Sequence, residues 1–185
     1  DCIIREVQPN LDLIPSNVNL AGAEIELLEM ENKEKILRGF LSRVKKNYDF
    51  IIIDCPPSLS LLTINALVAA DTVLVPLQCE YYALEGLNQV MKTVQLVKKS
   101  LNPKLEMEGV VFTMYDSRTN LSSEVVESVR ESLNENIYDT MIHRNVRLAE
   151  APSYGMPITV YDTRSVGAED YRMLAAAGIT RGDGL

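Results

Sequence analysis

Short apolar runs alternate with amphipathic stretches along the whole chain. Phe50, Ile51, Ile52 and Ile53 form an unbroken β-prone run, the pattern of a strand covered on both faces in a parallel sheet. Similar runs predict strands over Leu11 to Ile14, Thr72 to Leu77, Gly109 to Met114, Thr140 to His143 and Ile158 to Tyr161, beside Phe50 to Asp54. Between them, Leu84, Leu87, Val90, Met91, Val94 and Val97 recur at three-and-four spacing, with Lys92, Lys98 and Lys99 mostly on the other side, which predicts a helix packed on a sheet. Val125, Val126, Val129 and Leu133 repeat the pattern; further helices are expected over Glu34 to Lys46 and over residues 58–69. Strand, helix and strand in succession imply right-handed crossovers and a mainly parallel sheet with helices on both faces. No linker and no internal repeat interrupts the alternation, so residues 1–185 read as one domain.

Composition narrows the classes. A length of 185 residues with 46% hydrophobic content suffices for a substantial core. Eighteen basic against 26 acidic side chains give a net charge of −8, which opposes bulk attraction to nucleic acid or anionic membrane, so any polyanion contact must be a local patch. Cys2, Cys55 and Cys79 lack paired metal-site spacing and fit a reducing cytosol. No long apolar run or signal-peptide pattern is present, and a soluble, cytoplasmic protein is expected. The first residue is Asp1, and a truncated amino terminus is the simplest reading.

The run Phe50 to Ile53 ends on Asp54, with Pro56 and Pro57 close behind. Prolines cannot donate ladder hydrogen bonds, so the chain leaves the sheet there and places a carboxylate at a strand's carboxyl end, where open α/β sheets bind ligands. Taken alone, Asp54 could equally end the strand or cap the next helix.

The stretches IIIDCPPSLSLLTINAL, LVPLQCEYYALEGL, TMYDSRTNLS, RNVRLAEAPSYG and YDTRSVGAEDY, in that order, resemble the ParA/Soj chromosome-partitioning ATPases, deviant Walker-motif members of the P-loop NTPase-like proteins. The likeness runs from about Asn10 to about Leu174. It implies that Asp54 closes the Walker B strand near the Mg²⁺ of a bound nucleotide, usually through water, and that Pro56 and Pro57 shape the switch segment that senses the γ-phosphate. Mg²⁺ keeps several waters, so one carboxylate can suffice. The loop HRNVRLAEAPSYG resembles the family segment beside the adenine ring, where Asn145 can offer both donor and acceptor to the base and Met114 can lie against it. His143, which opens that loop and is counted with Met114 and Asn145 among the implied nucleotide-binding residues, stands where the family commonly has proline.

The family's glycine-rich P-loop and its water-positioning acid are expected upstream of this region, for no G-x-x-x-x-G-K-[ST] occurs in these residues. Without that phosphate cradle the piece itself should not hydrolyse ATP, and it holds no catalytic residue of its own. Arg118 and Arg147 match positions used for sequence-independent DNA binding, and guanidinium groups suit phosphate oxygens; taken alone, each is an exposed loop arginine or an ion-pair partner. The resemblance implies that the full-length form binds ATP and Mg²⁺ and forms a homodimer. It would then bind DNA non-specifically, associating with the nucleoid, and answer to a ParB-like centromere-binding protein. A septum-site regulator would carry a basic amphipathic carboxyl-terminal helix for the membrane, which AAAGITRGDGL does not offer. A non-catalytic protein-interaction module is the alternative from another class.

Overall fold

The computed structural model describes residues 2–56, 58, 60–133 and 137–182. They divide into two compact units, Asp1–Ala70 and Asp71–Leu185.

The first unit opens with a hairpin of β1 (Ile4–Gln8) and β2 (Leu11–Leu13), paired antiparallel. Asn10 turns the hairpin with a positive φ of 62°, a conformation asparagine tolerates better than most residues. Three helices follow: α1 (Asn19–Leu28), α2 (Ile36–Leu41) and α3 (Leu61–Ala69). The helix expected over Glu34 to Lys46 breaks into a 3₁₀ turn, α2 and a second 3₁₀ turn. Glycine is a poor helix former, and Gly39 gives its carbonyl to the Ser42 hydroxyl at 2.9 Å, which competes with continuation of the helix. Side chains supply the caps that local sequence lacks. Glu24 of α1 accepts the Leu61 N–H at 2.8 Å, and the buried Asn65 of α3 accepts the Leu37 N–H at 3.2 Å while donating to Lys33 O at 2.7 Å.

The expected strand over Phe50 to Asp54 does not form. Residues 51–56 have no regular structure, and Ile52 is 93% exposed. A parallel strand exists only while neighbours satisfy its ladder, and the described residues offer this run no partner.

The second unit is an α/β layer built on β3 (Thr72–Gln78) and β4 (Glu106–Thr113), which pair in parallel. The crossover between them is α4 (Ala83–Ser100), and α5 (Asn120–Ser132) leaves β4. Parallel pairing continues on the far side of β4 through two isolated bridges, Val110 with Ile137 and Tyr115 with His143. The strand expected over Thr140 to His143 is therefore present only as this bridged extension. Alternation along β4 divides the core. Val110 and Phe112, both fully buried, join Val75 and Leu77 of β3 under Leu87 of α4 and Val126 and Val129 of α5. Val111 faces the opposite way, into Tyr138 and Ile142, with Leu174 and Ala177 covering them. Helices thus cover both faces, as expected.

Three helices complete the unit: α6 (Val146–Glu150), α7 (Ile158–Tyr161) and α8 (Val166–Gly182). Ile158 to Tyr161, expected as a strand, is α7. Pro157 precedes it as an extended N-cap whose carbonyl accepts the Val160 and Tyr161 N–H groups, and no strand lies beside it among the described residues. Gly167 lets α8 approach α6 closely, since a Cβ there would stand 2.6 Å from Leu148 Cγ.

Candidate functional site

In the second unit, several of the sequence-predicted residues gather at the carboxyl end of β4. Thr113 O accepts the Cys79 N–H at 3.2 Å; the Tyr115 N–H then reaches Ile142 O at 3.1 Å and Tyr115 O takes the Arg144 N–H at 2.9 Å. Met114 lies between these rungs with φ of 55°, a left-handed conformation that costs a non-glycine residue of order 1 kcal/mol. It is 44% exposed, so an apolar side chain is presented to solvent at the strand's end. The same ladder carries residues 143–145 alongside.

His143 is anchored rather than free. Its backbone N–H and ring Nδ1 both approach Asp170 Oδ2, at 2.9 and 3.0 Å, and its ring meets Tyr115 edge-on with centroids 5.6 Å apart. Asn145 caps α6: its Oδ1 accepts the Arg147 N–H at 2.8 Å. One lone pair of that oxygen is thereby used, leaving its second lone pair and its two amide donors.

Both arginines are held by carboxylates. Arg118 clasps Asp116 with Nε to Oδ1 at 2.9 Å and Nη2 to Oδ2 at 2.7 Å, while its backbone N–H also reaches Oδ1 at 3.0 Å. These contacts with Arg118 hold the Asp116 carboxyl well below the usual carboxylate range. Arg147 reaches Glu150 at 2.8 Å and Asp162 at 3.4 Å, and Tyr161 donates its hydroxyl to the same Glu150 oxygen at 3.2 Å. Sequence reasoning named the arginines and missed their partners. The i,i+2 spacing of Asp116 and Arg118 and the i,i+3 spacing of Arg147 and Glu150 were the available signals; Asp162 and Asp170 are distant in sequence and gave none.

Asp54 belongs to the first unit. It is exposed, it does not close a strand, and among the described residues its carboxylate has no hydrogen-bond or ion-pair partner. The neighbouring Cys55 thiol is pushed up by burial and by the Asp54 charge. Pro56 is exposed, and Pro57 lies outside the described residues. No group of three or more His, Cys, Asp or Glu side chains able to hold a metal occurs among the described residues. One unpartnered carboxylate fits an ion that fills its shell with water and phosphate oxygens, as Mg²⁺ does, and not an all-protein cage.

A family model described as an AAA domain matches residues 1–107. The chain is 57% identical over 175 residues to the sporulation initiation inhibitor protein Soj of Bacillus subtilis (strain 168), a match covering 95% of this chain and 69% of that protein. It is 54% identical over 164 residues to the chromosome partitioning protein ParA of Myxococcus xanthus (strain DK1622), covering 89% of this chain and 58% of that one. Among solved structures, cobyrinic acid a,c-diamide synthase from Mycobacterium smegmatis, with bound ATP analog and magnesium, matches with a TM-score of 0.80 and 36% identity, covering 95% of this chain and 64% of that chain. The fold is thus that of an α/β, P-loop NTPase-like protein. Within that class, the chain belongs to the ParA/Soj family of chromosome-partitioning ATPases. No helix among the described residues is long and apolar enough to cross a membrane.

Proposed function

We propose that the protein to which these residues belong is a partition ATPase of the Soj type. In this reading it binds and hydrolyses ATP with Mg²⁺, dimerises with nucleotide and binds DNA without sequence preference, and a ParB-like centromere-binding partner stimulates it. The observation that carries the reading is Met114, held left-handed and exposed at the carboxyl end of β4 beside residues 143–145, in a chain of this family. Open α/β sheets bind ligands at strand carboxyl ends, and backbone strain persists where surrounding structure over-determines it.

The residues then take these roles. Met114 lies against the adenine ring, the Asn145 amide donates to a ring nitrogen, and His143, fixed by Asp170, sets the entry of the loop. Asp54 holds Mg²⁺ through water, and Pro56 and Pro57 stiffen the switch that follows it. When bound, Mg²⁺ supplies charge neutralisation at the phosphate oxygens. Arg118 and Arg147 bind DNA phosphates, exchanging their internal carboxylate partners for phosphate oxygens, and the working location is the nucleoid-bearing cytoplasm.

The 185-residue chain has no phosphate cradle in its sequence, so a steady-state phosphate-release assay should register no turnover from it. Joined to a family-type P-loop segment it should turn over, and Asp54→Ala in that fusion should abolish the activity. Mg²⁺-dependent turnover by the unfused chain, or an Asp54→Ala fusion as fast as its parent, overturns the reading.

A further inference from the structure

We propose that a groove on α2, built from none of the residues assigned above to nucleotide or DNA, is a docking site for an acidic amphipathic helix of a partner protein. The groove is a shallow, open recess of about 360 Å³ lined by Asn32, Lys35, Ile36, Gly39, Phe40 and Arg43. Its floor is apolar: Ile36 is 41% exposed and Phe40 is half-buried. A Cβ added at Gly39 would meet nothing within 4 Å, so the helix backbone is uncovered there and leaves room for an incoming side chain.

Charge decides the occupant. Lys33, Lys35, Arg38, Arg43, Lys45 and Lys46 lie within one stretch that contains a single acidic residue, Glu34, in a chain whose net charge is −8. Lys35 and Arg43 are among its lining residues, and neither they nor Arg38 form an ion pair among the described residues. A recess with an apolar floor and cations in its lining matches a helix that presents an aliphatic anchor between carboxylates. Nucleic acid would use the cations and leave the floor empty. A bilayer surface is flat and cannot enter a recess, and α2 has only six residues with which to lie on one.

The test uses the 185-residue chain and a fluorescein-labelled helical peptide of Leu, Ala and Glu with one leucine face. Controls are the same peptide with Lys for Glu, phosphatidylglycerol vesicles and a random-sequence DNA duplex. The acidic peptide should bind and the basic one should not. Arg43→Glu should weaken binding at least about tenfold. Gly39→Leu, which fills the groove, should weaken it comparably while the melting temperature stays level or rises, since leucine is the better helix former. Failure of the acidic peptide to bind, unchanged binding by Gly39→Leu, or binding of vesicles or duplex in its place overturns the proposal.

Discussion

Asp170 Oδ2 accepts the backbone N–H of His143 at 2.9 Å and stands 3.0 Å from the same residue's Nδ1. Among the described residues the 137–143 segment pairs only with β4, and no strand there receives the outward-facing amide of His143. A buried carboxylate from α8 takes that place, and by accepting from Nδ1–H it fixes the ring tautomer as well.

Removing this carboxylate should therefore loosen the loop that carries Asn145. Asp170→Ala leaves the amide without its acceptor and should cost about 1–3 kcal/mol in urea unfolding. Asp170→Asn keeps an acceptor oxygen and should recover part of the loss. An alanine variant as stable as the parent would show that the contact contributes nothing.

A pH effect is expected in the first unit. Asp12 accepts the Glu6 N–H at 2.8 Å, the Tyr48 hydroxyl at 2.7 Å and Arg5 at 2.6 Å, and these contacts, the backbone one foremost, bring its carboxyl down to about 2. A carboxyl depressed on folding contributes stability above its ordinary value of 3.8 and loses it as pH falls through about 2. Unfolding midpoints followed down through that window should drop more steeply for the parent than for Asp12→Asn. Parallel curves would remove Asp12 from the account.

What the sequence made legible tracks how local each feature is. The three-and-four spacing of Leu87, Val94 and Val97 found α4, and the run Val110 to Phe112 found β4, because periodicity reports burial within one element. The Phe50 to Asp54 run gave a false strand, since apolar content describes a strand's faces and says nothing of whether a neighbour completes its ladder. Ile158 to Tyr161 failed for a related reason: four β-prone residues after proline also suit one helical turn. Arg118 and Arg147 were legible as cations, whereas Asp162 and Asp170 reach their partners only through tertiary folding.

Thiol chemistry separates the cysteines. Cys79 is 4% exposed and burial pushes its thiol up to about 11, while Cys2 and Cys55 are exposed. Iodoacetamide near neutral pH should label Cys2 in the native chain, Cys55 slowly because burial and the Asp54 charge push its thiol up, and Cys79 only after denaturant is added, because the thiolate is the nucleophile. Peptide mapping that finds Cys79 labelled first would contradict its burial.

The last prediction joins the two arginines to their carboxylates. Arg118 is 85% exposed in its side chain, so its pair with Asp116 is screened by water and is worth little to stability. The pair nonetheless places an anion where a phosphate would sit, and Glu150 with Asp162 does the same at Arg147. If these arginines are the DNA contacts, the carboxylates compete with DNA. In a fusion of the chain to a family-type P-loop segment, supplied with ATP, duplex affinity should fall with salt at a logarithmic slope of about −0.9 per neutralised phosphate. Arg118→Glu and Arg147→Glu should each abolish binding to all sequences while leaving nucleotide affinity nearly unchanged, because no base is read. Asp116→Asn should act in the opposite direction, removing the competing charge and tightening DNA binding at low salt. A salt titration of fluorescence anisotropy on the parent and these three variants decides it. If the charge reversals bind as the parent does, the DNA surface lies elsewhere; if only Asp116→Asn is silent, Arg118 contacts DNA without having to leave its carboxylate.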